Sequence, residues 1–385
     1  MSELGRRHHV VMLVRNPYTH DTRVEKEVRT LVGAGHQVSV VADAASGLPD
    51  RETRAGGEIY RVRRAGPPIP GLRFLVHEWR LARRLRALRP SVLHAHDTNA
   101  LVPVAMTAAR LRIPYVYDAH DLWLGRPRRE RGRVYFALSQ AYYTLVERVL
   151  VPRAAVTLTV SPPIAEHLRR RYRLGAVRLV PNYPEVSGPI VARPLSELPG
   201  AEGIAPGRPV VLYLGGLMAG RGLEPLVEAA AQMPEVQLVL LGDGVEEGRL
   251  RERAARHGAT LFLLPPVPPD QVEMYAASAD VGVSPIVPSC LNYRYSLPNK
   301  LFQYMVAGIP VVASDLPQVR EVVEASGAGV VVDTSRPAAV ADAIKSLLAD
   351  PAAARAMGQR GRSAVVERYH WGVSASVLRE VYATI

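Results

Sequence analysis

Short apolar runs alternate along this chain with longer stretches whose apolar positions recur every three to four residues. That pattern predicts buried parallel strands joined by crossover helices. In the first half, strands are expected at Val10–Val14, Gln37–Ala42, Ile59–Arg63, Val92–His94, Tyr115–Asp118, Val156–Val160 and Val177–Val180. Between them fall helical patterns: one opened by Thr22 and Glu25 as a capping box and stopped by Gly35, then Arg73–Leu88, Ala100–Leu111, Val134–Val149 and Ile164–Tyr172. From residue 188 to 208 proline and glycine recur without periodicity, as a linker does. The alternation then restarts at Val210–Leu214, Gln237–Leu241, Thr260–Leu264, Val281–Ser284, Pro310–Ala313 and Gly329–Val332, with helices at Leu223–Gln232, Val245–His257, Gln271–Ala277, from Pro298 to Gly308 and after Pro337. The expected organisation is therefore a doubly wound α/β domain over 1–187, a linker over 188–208, a second such domain over 209–370, and a last helix over 371–385.

A chain of 385 residues with 48% hydrophobic content can fill two cores of this kind. Cys290 is the single cysteine, so no internal disulfide can form, as expected of a cytoplasmic protein. No apolar run reaches signal-peptide or membrane-spanning length. The formal net charge is +12 and is carried by arginine, since Lys26, Lys300 and Lys345 are the only lysines. No zinc-finger spacing, aromatic RNA-binding motif or basic-plus-heptad segment accompanies it, which argues against nucleic acid.

In open α/β sheets ligands bind at the carboxyl ends of strands, so chemistry is expected in strand-to-helix loops. The loop from Gly215 and Gly216 to Gly222 allows close backbone approach, and Arg221 offers a fork for phosphate oxygens. Gly242, Asp243 and Gly244 end another strand; Asp243 reads equally well as a cap of the following helix. Val267, in the proline-rich run Phe262–Gln271, could wall a flat base. Ser296, Leu297, Pro298 and Asn299 lead into a helix with Lys300 in its first turn, an arrangement suited to a diphosphate. In the first half, His94, His96 and Asp97 stand at one strand end, His120 and Asp121 at another, suggesting a polar site. The three histidines lack a closed four-ligand set, so no metal is assigned.

In their order and spacing these segments resemble the family 4 retaining glycosyltransferases of GT-B fold. The resemblance runs from Asp21–Val40 through Tyr117–Trp123, Val180–Asn182, the Gly215–Gly222 loop, Ala279–Asp280 and Leu297–Lys300 to Tyr369–Trp371. It implies two Rossmann-like domains facing a cleft, a nucleotide-sugar (UDP- or GDP-linked) in the C-terminal one, an acceptor in the N-terminal one, and a last helix crossing back. It implies no cofactor, and no Asp-x-Asp is present to suggest a metal. The family's basic pair falls on Gly216 and Arg221, so the first charge is missing and Lys300 is the expected substitute. His120 matches the histidine near donor sugar and phosphate. The family's two glutamates fall on Tyr295 and Gln303. Gln303 can still accept from a ribose hydroxyl, at a loss on the order of 1 kcal/mol. His120, Arg221 and Lys300 are the expected catalytic groups. Gly215, Gly216, Gly242, Asp243, Val267, Ser296, Leu297, Pro298, Asn299, Gln303 and Asp121 are the expected binding groups.

The acceptor is bounded only by two basic amphipathic stretches, Leu72–Leu88 and residues 126–136. They read as solvated core helices or as contact with anionic lipid at the inner face of the plasma membrane, suiting a sugar or lipid-linked acceptor. Polysaccharide, glycolipid or secondary-metabolite synthesis fits that chemistry. A nucleotide-sugar epimerase and a non-catalytic sugar-nucleotide-binding protein are the alternatives, the latter favoured by the missing glutamates.

Overall fold

A computed structural model describes residues 7–66, 69–126, 132–186, 188 and 190–385. Part of the second basic stretch, 127–131, therefore lies outside the described residues. The chain divides into two compact units, Met1–Asn182 with Gly372–Ile385, and Tyr183–Trp371.

The strands of the first unit are β1 (His9–Leu13), β2 (Gln37–Asp43), β3 (Arg51–Arg54), β4 (Gly57–Val62), β5 (Val92–His96), β6 (Tyr115–Ala119), β7 (Val156–Thr159) and β8 (Val177–Leu179). Its helices are α1 (Thr22–Gly33), α2 (Pro70–Ala87), α3 (Leu101–Leu111), α4 (Arg133–Leu150) and α5 (Pro162–Tyr172). The sheet order is β3-β4-β2-β1-β5-β6-β7-β8. Every pairing is parallel except β3 with β4. The central strands β5 and β6 are buried throughout, as strands covered on both faces must be. Two local expectations change. Asp21, not Thr22, caps α1, its carboxylate accepting the Val24 N–H at 3.2 Å. The strand expected at Ile59–Arg63 is β4, and it carries an antiparallel partner, β3, whose sequence Arg-Glu-Thr-Arg has no apolar residue to announce it.

The second unit holds β9 (Val210–Leu214), α6 (Leu223–Ala230), β10 (Gln237–Leu241), α7 (Glu247–His257), β11 (Leu261–Leu264), α8 (Val272–Ala277), β12 (Val281–Ser284), α9 (Leu291–Arg294), α10 (Asn299–Ala307), β13 (Val311–Ser314), α11 (Pro317–Ser326), β14 (Gly329–Val332), α12 (Pro337–Ala349) and α13 (Pro351–Glu367). The final helix, α14 (Trp371–Thr384), belongs to the first unit from Gly372 on. The all-parallel sheet runs β11-β10-β9-β12-β13-β14. Alternate side chains of one strand enter two different cores. Leu212 and Leu214 join Tyr304, Leu301 and Val319 on one face, while Val211 and Tyr213 join Leu226, Leu250 and Val340 on the other. This period-two division fixes register, because a slip by one residue would exchange the two faces.

Candidate active site

The second sheet changes its winding direction between β9 and β12. At such a switch point strand ends diverge and leave a crevice for ligand. Among the described residues β9 and β12 pair only at Val211–Val281 and Leu212–Gly282. Past that point the Tyr304 hydroxyl, from α10, enters the split. It accepts the Leu214 N–H at 2.9 Å and lies 3.1 and 3.2 Å from the Leu212 and Val283 carbonyls, one of which takes its proton. The ring needs the space at Gly282, where a Cβ would stand 2.4 Å from it.

The loops after β9 and β10 lean on each other through backbone alone. The Gly215 N–H donates to the Leu241 carbonyl at 2.9 Å, and the Leu217 N–H to the Asp243 carbonyl at 2.7 Å. Gly242 has φ +148°, and a Cβ there would stand 2.3 Å from the Gly215 oxygen. Asp243 is therefore not a helix cap; α7 begins later, and the aspartate's carbonyl ties the two loops while the residue itself stays exposed. Gly215 and Gly216 are exposed.

Lys300 sits in the first turn of α10, just past the Pro298 cap, and is buried. Its Nζ lies 3.5 Å from the centroid of the Tyr213 ring and 3.6 Å from where a Gly215 side chain would begin. The Tyr213 hydroxyl donates to the Gly216 carbonyl at 3.0 Å, so one tyrosine seats both the cation and the glycine loop. Burial, and then the charge of Arg221, push the Lys300 ammonium well below the usual lysine range. Arg221 lies over the Tyr293 ring at 5.1 Å. Among the described residues neither cation is paired with a carboxylate, whereas Arg249, Arg253 and Arg320 of the same unit are. Two unpaired cations beside bare backbone and a helix N-terminus are an arrangement able to hold an anion.

The remaining expected binding residues are spread around this point. The Ser296 hydroxyl donates to the Tyr293 carbonyl at 2.8 Å. Leu297 and Val267 are half-buried against the same core, Asn299 opens α10, and Gln303 is half-buried one turn further along. Tyr295 ends the short helix α9.

In the first unit His120 directly follows β6, its side chain 20% exposed. Asp121 is engaged by Arg126 at 2.7 Å, and the same guanidinium reaches Asp97 at 3.1 Å. His94 and His96 lie at the end of β5, as expected, and both are buried within the unit. Beneath His120 they join a charged cluster. Arg23 forks onto Asp118 with contacts of 2.9 to 3.0 Å and lies 3.1 Å from Glu27, one helical turn along α1. Burial pushes the Asp118 carboxyl up, but Arg23, then His120 and His96, outweigh it and hold it well below the usual carboxylate range. Burial and the Asp118 charge drive Glu27 well above it despite Arg23. Around one guanidinium the two carboxyls are thus pushed in opposite directions. Burial pushes the His94 and His96 rings below the usual histidine range. Glu27, His94, His96 and Asp118 present ligand atoms within 4.8 Å of one another, the sole such group among the described residues. The positive charge at their carboxylates is supplied by Arg23.

Sequence reading missed Tyr213, Tyr304, Arg23, Glu27 and Asp118. Tyrosines inside apolar runs look like core. Arg23 and Glu27 did carry a signal, being charged residues four apart on the face of α1 that also presents Val24, Val28 and Leu31.

Residues 19–183 match the glycosyl transferase 4-like domain, and residues 208–350 match glycosyl transferases group 1. An alpha-maltose-1-phosphate synthase of Mycolicibacterium smegmatis is 28% identical over 77% of this chain and 79% of its own length. An alpha-D-kanosaminyltransferase of Streptomyces kanamyceticus is 26% identical over 93% of this chain and 97% of its own. Among solved structures, sucrose-phosphate synthase from Thermosynechococcus elongatus superposes with a TM-score of 0.79 at 21% identity, covering 98% of this chain and 99% of that one. Anabaena HepE, in complex with UDP and glucose, gives 0.78 at 15% identity over 98% and 100%. Both halves of the sequence, two parallel-sheet α/β units and these likenesses converge: the chain belongs to the family 4-like glycosyltransferases of GT-B fold.

Proposed function

We propose that this glycosyltransferase takes its sugar from a nucleotide-sugar, UDP- or GDP-linked, with the diphosphate at the unpaired cations Lys300 and Arg221. That pair, set beside exposed glycine backbone at the switch point of the second sheet, is the observation that carries the reading. As the glycosidic bond breaks, negative charge grows on the departing diphosphate. Lys300, Arg221 and the first N–H groups of α10 are aimed where that charge develops. The structure of HepE with UDP and glucose gives the chemistry a precedent on this fold. Gly215, Gly216, Gly242 and Asp243 form the loop face against the phosphates, Ser296 to Asn299 the helix approach, and Val267 the wall for the base. Gln303 is assigned the ribose, and His120 and Asp121 the sugar. Configuration is retained, no metal takes part, and turnover persists in EDTA.

The acceptor is proposed to be a sugar or lipid-linked hydroxyl met at an anionic membrane surface from the cytoplasmic side. In α2, Leu75 and Trp79 are 63% and 57% exposed; in α4, Val134, Leu138 and Leu145 are each more than 60% exposed. The two faces adjoin, since Phe74 and Tyr142 pack edge to face at 5.9 Å. Exposed Arg73, Arg83, Arg86, Arg133 and Arg148 accompany them. Among the described residues no helix is long and apolar enough to cross a membrane.

The test is a panel of nucleoside diphosphates scored by melting temperature, followed by turnover of the matching nucleotide-sugars with anomeric configuration read by NMR. One nucleotide should raise the melting temperature and its sugar should be transferred. Absence of any shift at millimolar nucleotide, together with no turnover, overturns the reading.

A further inference from the structure

His96 has no role in the reading above, yet it is the only described group that hydrogen-bonds the His120 ring. Its Nδ1 lies 3.1 Å from His120 Nε2. Its position is over-determined. The His94 ring stacks on it at 4.2 Å with an 18° interplanar angle. His94 is held in turn by the buried Tyr382 hydroxyl of α14, 2.9 Å from its Nδ1. On the other side Asp118 Oδ2 stands 3.6 Å from His96 Nδ1 and 3.5 Å from His120 Nε2.

Between His96 Nδ1 and His120 Nε2 there is room for one proton. The second nitrogen of His96 decides who carries it. His96 Nε2 is buried and unpartnered, with Glu27 Oε2 no closer than 4.0 Å. A buried N–H without an acceptor is rarer than a buried lone pair without a donor. The proton of His96 therefore belongs on Nδ1, where both His120 and the ionised Asp118 attract it. His120 must then accept at Nε2 and carry its own proton at Nδ1.

We propose that His96 is a positioning residue that fixes the tautomer of His120, so that His120 presents an Nδ1–H donor to an oxygen of the sugar or phosphate. The proposal rests on the assignment of His120 to the donor. Without His96, the buried Asp118 carboxylate would draw the His120 proton inward to Nε2 and leave a lone pair facing the ligand. The outward group would change from donor to acceptor while the ring stayed in place.

The experiment uses the full chain labelled with 15N-histidine. Ring 15N–1H correlation spectra report which nitrogen is protonated, and His120→Asn identifies the His120 signals by their loss. In the free wild-type protein His120 should show Nδ1 protonated. In His96→Leu the proton should move to Nε2, and in His96→Asn, whose amide can still donate from nearly the place of Nδ1, it should return to Nδ1. With the nucleotide-sugar found by the donor panel, His96→Leu should lower kcat about ten- to a hundredfold with KM changed less than threefold, and His96→Asn should recover most of it. An Nε2-protonated His120 in the wild type, or a tautomer unmoved in a folded His96→Leu, overturns the proposal. If His120→Ala retains full turnover, the role given to His120 is wrong, whereas the spectra still judge the tautomer by themselves.

Discussion

Lys300 shows how one side chain can oppose fold and function. Its charge is disfavoured by burial and by Arg221, so the free folded protein holds its proton less tightly than the unfolded chain does. Between the lowered value and the ordinary lysine range the unfolded state binds the extra proton, and stability rises with pH across that window. A bound diphosphate reverses the balance by favouring the ammonium. Binding then takes up a proton, and affinity falls as pH rises through the lowered value. Calorimetric titration of UDP in buffers of different ionisation enthalpy should reveal that uptake. Lys300→Met should abolish it, weaken UDP about ten- to a hundredfold, in line with loss of a charged hydrogen bond of about 1.5–3 kcal/mol, and raise the melting temperature of the free protein. A methionine variant that binds UDP as tightly as wild type would remove Lys300 from the site. Gln303 makes a smaller, independent prediction. Gln303→Glu should tighten a nucleoside diphosphate by roughly fivefold to tenfold through a charged ribose contact and leave inorganic pyrophosphate unaffected. Equal tightening of both ligands would place residue 303 nearer the phosphates.

At the scale of elements, the strand ends and loops matter more than the strands. β9 and β12 separate, and one hydroxyl from α10 serves Leu214, Leu212 and Val283 in place of the ladder. Tyr304→Phe removes the acceptor of the Leu214 N–H and the donor to one of the two carbonyls, so unfolding in urea should show a loss of about 1–3 kcal/mol. A loss no larger than a few tenths would mean that the strands close on each other instead. Gly242→Ala acts on the neighbouring loops. Its Cβ has no place beside the Gly215 oxygen, so the loops must part and UDP affinity should drop at least tenfold while far-ultraviolet circular dichroism is kept. Most elements were legible in sequence, because buried parallel strands are short apolar runs and α10 is bracketed by Pro298 and Gly308, but α9 and α11 were not read. β3 was not, being a polar edge strand held by pairing rather than burial. Nor was the cluster under His120. Arg23 and Asp118 lie 95 residues apart, and only the β1–β5–β6 order of the sheet brings α1 over the His-x-His strand. The burial of His94 and His96 comes from the same packing, which no local pattern announces.

For the whole molecule, the net charge of +12 gains meaning only from where the apolar residues are left uncovered. Scattered surface arginine gives weak, non-directional attraction to any polyanion. On α2 and α4 the arginines flank a continuous set of exposed leucines, tyrosine and tryptophan, and Arg83 lies 5.6 Å over the Trp79 ring. A surface of that kind is attracted by anionic headgroups and held by its apolar side chains. The two contributions separate experimentally. Sedimentation with phosphatidylglycerol vesicles should be strong at low salt and fall several-fold by 0.5 M salt, about the range over which screening shortens from 10 Å toward 3 Å. Phosphatidylcholine vesicles should bring down little. Leu75→Glu with Leu138→Glu should abolish vesicle binding without lowering the melting temperature, since both side chains are already in water. It should also leave turnover on a soluble acceptor unchanged while lowering turnover on a membrane-embedded one. Undiminished sedimentation of that double variant would show charge alone at work, and the helix faces would then carry no acceptor-specific role.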